Sequence, residues 1–270
     1  MFRSFKRTRH NPLPFIWQQM NVQFRMQALS LFSFGLLVFQ PATFSAVGYL
    51  LARMAGKSQP DLIYVIIGGG IMGLWSGLIF TSFYDISNDR REGTLELIIG
   101  SPTSYTTVLA VKTLTNVLMG SISMLLAFLA AKLFFNFSIP LHNIPYILVS
   151  LLILMFGFWS IGIFLAHFRA WSRVTGMFIN YLELPVSILA AFMFPIEYLP
   201  RSILWLSDSI PIRWGVTGLH SSFQAQSQFA AIWPSWITAL AISFAYLLIT
   251  FFMSRKVHDM IRVSGELSSV

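Results

Sequence analysis

Residues 146–166 read YILVSLLILMFGFWSIGIFLA, a run with no charged side chain. At 1.5 Å per residue, a helix of that length covers the ~30 Å hydrocarbon core of a bilayer. Backbone polar groups find no water there, and a helix satisfies them within its own segment. Comparable apolar runs fall at about 28–51, 62–84, 105–135, 174–194 and 232–253. With 56% hydrophobic and only 10% charged residues over 270 positions, the chain cannot cover itself as a soluble globule. The expectation is an all-α polytopic membrane protein with six transmembrane helices. Cysteine is absent, which excludes disulfides, zinc–thiolate sites and iron–sulfur clusters. The net charge of +8 belongs to basic loops held at an anionic membrane face rather than to nucleic acid.

The chain divides into a cytoplasmic N-terminus (1–27), a six-span transmembrane domain (28–253) and a cytoplasmic tail (254–270). Residues 1–10 carry Arg3, Lys6, Arg7 and Arg9, and a polar amphipathic stretch follows, so no cleaved signal peptide is expected. Asn11 and Pro12 open a helix with Leu13, Ile16, Trp17, Met20 and Phe24 on one face and Gln18, Gln19, Asn21, Gln23 and Arg25 on the other. That pattern fits an interfacial helix lying flat on the cytoplasmic leaflet. Gln40-Pro41 is expected to kink the first span. In the second, Gly69, Gly73 and Gly77 recur every fourth residue and form a groove that admits another helix. GGGIMG at 68–73 lacks the Lys-Ser/Thr of a phosphate loop and sits inside an apolar run.

Ser104 or Thr103 caps the third span, and Lys112 and Lys132 are expected to snorkel toward opposite interfaces. His167, Arg169 and Arg173 form a basic turn after the fourth. The fifth contains Glu183, an acid placed deep in an apolar run, with Asn180 one turn before it. A carboxylate in lipid is costly, so both residues become candidates for a substrate path. From 195 to 231 two short apolar pieces, about 200–206 and 212–223, are separated by a proline break, which fits a re-entrant hairpin. Pro195, Pro200, Trp205, Pro211 and Trp214 punctuate it, the two tryptophans at the outer interface.

Between the second and third spans lies DRREGTLELIIGSP, residues 89–102. Asp89 and Glu92 have the spacing of a capping box, Gly100 and Pro102 supply a stop, and Leu95, Ile98 and Ile99 share one face while Glu92 and Glu96 lie a turn apart on another. The expectation is a short surface helix over about 89–100 that presses against a soluble partner. Glu92-Gly93-Thr94-Leu95-Glu96 with Ser101-Pro102 resembles the E-x-G-T-L-E…T/S-P signature of permease subunits of type-2 ATP-binding-cassette exporters, the drug and polysaccharide class. Phe194-Pro195, Leu199-Pro200 and Ile210-Pro211 resemble that family's F-P…L-P…N-P series, although Ser209-Ile210 stands where asparagine is usual.

The resemblance implies that Asp89, Arg90, Arg91, Glu92, Gly93, Thr94, Leu95 and Glu96 form a coupling helix that touches a separate ATPase subunit, expected in two copies. It also implies a second permease half, identical or a sister chain, and ATP with Mg bound on the ATPase rather than here. No G-x-x-x-x-G-K-S/T occurs in the chain, so it is expected to be a transport subunit and not itself an enzyme. With both termini inside, thirteen of the eighteen Lys and Arg residues fall on the cytoplasmic side, as the positive-inside rule asks of a multi-pass protein of a bacterial plasma membrane. The expected cargo is hydrophobic or amphipathic: a drug, an antibiotic or a lipid-linked molecule. Polysaccharide or teichoic-acid export within the same class is one alternative, and a proton-coupled secondary transporter working through Glu183 is the other. The five histidines are scattered and make no H-E-x-x-H pattern, which argues against a membrane-embedded metalloenzyme.

Overall fold

The computed structural model describes residues 12–29, 31–54, 56, 59–91, 93, 104–135, 143–171, 175–224 and 228–263. Within them the chain is helical: α1 Pro12–Leu29, α2 Leu31–Met54, α3 Gln59–Arg91, α4 Tyr105–Phe135, α5 Ile144–Trp171, α6 Thr175–Leu189, α7 Leu204–Asp208, α8 Pro211–Ser222 and α9 Phe229–Val263. Two 3-10 turns, Ile196–Tyr198 and Arg201–Ile203, join α6 to α7. Among the described residues, four segments are long and apolar enough to cross a bilayer: Leu62–Ser82 in α3, Tyr105–Phe134 in α4, Ile144–Phe168 in α5 and Phe229–Ser254 in α9. These make the chain a multi-pass membrane protein.

Helix α3 is the hub. Within its apolar window 78% of residues are buried against other helices, whereas only 17% are in α9, whose Ile237, Phe244, Leu248 and Phe252 point outward. The glycine triplet at 68–70 explains how so many neighbours approach. Gly68 meets the backbone of Phe192 and Met193, Gly69 lies on Ser45 of α2, and Gly70 lies on Met124 of α4. One turn on, a Cβ at Gly73 would stand 2.9 Å from Pro41 Cβ, while nothing lies within 4 Å of the same point at Gly77. Ile71, Leu74, Trp75 and Leu78 of α3 then pack with Val117 of α4, Leu154 and Phe158 of α5, and Ile212, Val216 and Leu219 of α8. With no water to expel between lipid-facing helices, this close contact holds the bundle through dispersion.

Three elements differ from the sequence expectation. The second span does not stop near residue 84: α3 runs through Asp89 to Arg91, and Gly93 follows at φ 68° in the left-handed region that ends helices. Asp89 therefore closes α3 rather than capping a separate helix. The fourth span runs on through His167 to Trp171, so His167 lies inside a helix and not in a turn. The fifth run, expected over 174–194, is helical only to Leu189. At about 22 Å for fifteen residues, α6 is shorter than the bilayer core.

The stop at Leu189 has a clear backbone cause. Ala191 sits at φ 51°, its N–H bonded to Ile188 O at 3.0 Å, and Phe192 N bonds back to Ser187 O at 3.1 Å. That double closure is a Schellman motif with alanine in the place usually taken by glycine. Ser207 Oγ donates to Leu189 O at 2.6 Å, satisfying another terminal carbonyl.

Beyond the turns, α8 is sunk in the bundle. Gly215 and Gly218 let it approach Leu154 of α5 and Trp236 of α9. Trp236 Nε1 donates to Ser150 Oγ at 2.7 Å, and Ser150 pairs with Ser222 Oγ, also at 2.7 Å. A buried indole N–H needs such a partner, and this one ties α5, α8 and α9 together.

Candidate functional site

Two polar clusters interrupt the apolar interior, spaced along α3. The first lies where α3 and α4 approach the segment 92–103. Lys112 Nζ donates to both oxygens of Asp89, at 2.6 and 2.8 Å, with both side chains less than a tenth exposed. Lys112 is thus turned into the bundle, not snorkelling to an interface as expected, and Asp89 faces Lys112. One turn further along α4, Asn116 Nδ2 donates to Ser82 Oγ of α3 at 2.8 Å. Its Oδ1 accepts from Gln23 Nε2 at 3.3 Å and from Gln27 Nε2, both on α1. Gln23 and Gln27 are buried, while Trp17, Val22 and Phe24 of the same helix are exposed. Two amides of α1, Gln23 and Gln27, therefore face protein while Trp17, Val22 and Phe24 do not, the reverse of a helix covering a soluble core.

Ser104 Oγ accepts from Thr107 N at 3.2 Å and caps α4. A buried ion pair thus fastens together the two helices that flank residues 94–103 in the chain. Arg90 and Arg91 form the last turn of α3, and Glu92, Thr94, Leu95 and Glu96 lie outside the described residues.

About 20 Å along α3 from Asp89, counted at 1.5 Å per residue, lies the second cluster. Glu183 of α6 turns toward α2 and α3. Its Oε1 accepts from Gln40 Nε2 at 2.9 Å and from Ser76 Oγ. Trp75 Nε1 donates to the Glu183 carbonyl oxygen at 3.1 Å. Ser187, one turn further along α6, donates to Leu184 O. Asn180 lies in α6, and its side chain is outside the described residues.

At the opposite end of the bundle, Pro195 and Pro200 each precede a 3-10 turn, and Pro211 is the first residue of α8. Arg213 pairs with Asp208 at 3.2 Å and stacks on the Trp214 ring at 3.7 Å, while Trp214 Nε1 donates to Asp208 O. Burial lowers the Arg213 pKa, while Asp208 and then Glu197 act to raise it. Trp205 is 69% exposed, and Trp214 is half-buried. No group of His, Asp or Glu among the described residues has the arrangement of a metal site.

The described residues form a helical bundle fastened by polar contacts. The family model described as "ABC-2 family transporter protein" matches residues 19–252, nearly the whole chain. The chain belongs to the ABC-2 transporter family. This agrees with the resemblance carried by the E-G-T-L-E segment and the proline pairs. Two curated relatives, each named inner membrane transport permease YhhJ, from Escherichia coli (strain K12) and Shigella flexneri, are 21% identical to it over 195 residues. The match covers 70% of this chain and 51% of each relative, so the chain spans about half the length of the curated relatives it matches.

Sequence reasoning missed Lys112, Asn116, Gln27, Ser82, Gln40 and Ser76 as partners in these clusters. A signal was present: Lys112 and Asn116 sit one helical turn apart in an apolar span, and Gln40 and Ser76 are polar residues inside others.

Proposed function

We propose that the chain is the membrane-spanning permease half of an ATP-driven exporter for a hydrophobic or amphipathic substrate. The observation that carries this is the ABC-2 family match over residues 19–252. The geometry supports a mechanical role for the segment that follows Arg91. Asp89 and Lys112 bind the C-terminal end of α3 to α4, and Asn116 extends the link to α1. A push on residues 92–103 then moves three helices as one body instead of fraying one helix end. Such a push shifts the equilibrium between two arrangements only if the partner contacts each differently.

In this reading α2 and α6 complete six crossings with both termini cytoplasmic in a bacterial plasma membrane. Residues 195–231 form an outer re-entrant hairpin. A separate ATPase, in two copies and holding ATP and Mg, docks on Arg90 through Glu96, and a second permease half completes the path. Glu183 and Asn180 lie beside that path. The test is transport in proteoliposomes, with and without ATP, of a fluorescent amphiphile by the chain co-expressed with its ATPase. ATP-dependent movement is expected. Movement driven equally well by a proton gradient without ATPase favours the secondary-transporter reading and defeats this one.

A further inference from the structure

Glu183 is a carboxylate whose hydrogen bonds all fall on one side. Gln40 Nε2 and Ser76 Oγ both donate to Oε1, and Trp75 fixes the neighbouring carbonyl. Donors from two other helices therefore aim the carboxylate, and Oε2 accepts none of these bonds. Oε2 is also absent from the buried polar atoms that lack a partner, and the residue is partly exposed, so this oxygen opens to the surface of the bundle. Among the described residues the ion pairs are Lys112–Asp89 and Arg213–Asp208, and neither supplies a cation to Glu183. Beside it Gln40 Oε1 is buried and accepts no hydrogen bond. The cluster thus has a surplus of acceptors and of negative charge, in an apolar setting where both are costly. Around it α6 exposes Leu184 and Ile188, and α2 exposes Phe39.

We infer that Gln40 and Glu183, the latter aimed by Ser76, bind the protonated amine of an amphipathic molecule whose apolar part lies along the exposed side chains of α6 and α2. An ammonium brings N–H donors and no acceptor, which is what Glu183 Oε2 and Gln40 Oε1 lack. A bare alkali or alkaline-earth ion fits less well, because it needs several oxygens and two of the polar groups here already act as donors to Oε1. A proton on Glu183 answers the same charge and is the outcome that overturns the inference. This assignment deepens the permease reading and rests on it for the identity of the ligand as cargo.

The test uses the full-length chain in phosphatidylcholine nanodiscs, with empty nanodiscs subtracted, and two probes: a dansyl-tagged dodecylamine with a free ammonium and the dansyl-tagged alcohol of equal length. The ammonium probe is expected to bind about tenfold more tightly, the size of one charge-assisted hydrogen bond. Glu183→Gln should abolish that preference, and Glu183→Asp should keep part of it. Equal binding of the two probes by the unsubstituted chain, or a preference that survives Glu183→Gln, overturns the inference. Should Glu183→Gln fail to assemble, Gln40→Leu decides: a reduced ammonium preference supports the site, and an unchanged one overturns it. Ammonium preference without ATP-driven transport of either probe defeats the exporter reading alone. ATP-driven transport of the alcohol without any ammonium preference defeats this inference alone.

Discussion

Asp89 and Lys112 hold opposite charges in a place where neither tolerates isolation. Removing one partner of a buried ion pair leaves an uncompensated charge, at a cost of roughly 3–5 kcal/mol. Lys112→Met should therefore lower the unfolding temperature of the purified chain sharply, and adding Asp89→Leu should restore most of it. A Lys112→Met variant as stable as the unsubstituted chain would show that the pair contributes nothing. Ala191 gives a prediction of opposite sign. At φ 51° a Cβ is strained, so Ala191→Gly should stabilise the end of α6 by about 1 kcal/mol, read as a rise in thermal midpoint. A fall would mean that the methyl group packs well enough to outweigh the strain. Glu183 was legible in the sequence because a lone acid in an apolar run cannot go unnoticed. The Asp89–Lys112 pair was not, because Asp89 sits in a charged run that reads as solvated surface, and its partner lies twenty-three positions away. Only the stacking of α3 on α4 brings the two together.

Among the elements, α3 is set by its glycines, and they are not equivalent. A leucine at Gly73 has to displace Pro41, so Gly73→Leu should separate α2 from α3 and cost roughly 1–3 kcal/mol, seen as poor assembly in detergent. Gly77→Ala, with open space around it, should be neutral or stabilising by up to about 1 kcal/mol. Similar losses at both positions would mean that the contact with Pro41 is not the reason for the row. The four-residue repeat showed a groove in advance. It did not show which of its members the groove would use, since that depends on where Pro41 and Ser45 of α2 fall. The apolar runs likewise revealed α4 to the residue and the start of α5 to within two, because length and hydrophobicity alone define a span. They misjudged α6 and the end of α3, where the outcome turns on a left-handed residue and a buried ion pair, neither of which contributes to hydrophobicity.

For the whole molecule, the proposed permease role makes residues 92–103 the point at which force enters and the α1–α3–α4 fastening the route by which it spreads. Gly93 is exposed, in open space and at φ 68°, so a substitution there strains a turn rather than the core. Glu92→Ala combined with Gly93→Leu should thus leave the chain inserted and folded, with a thermal midpoint lowered only by the about 1 kcal/mol strain of a side chain at positive φ. The most direct measurement is co-purification of the tagged chain with its co-expressed ATPase, with stimulated ATP hydrolysis read on the same sample. The account predicts a stoichiometric complex for the unsubstituted chain and loss of ATPase binding, or of stimulated hydrolysis, for the double variant. A double variant that binds ATPase at normal stoichiometry and hydrolyses ATP at the normal stimulated rate would contradict it.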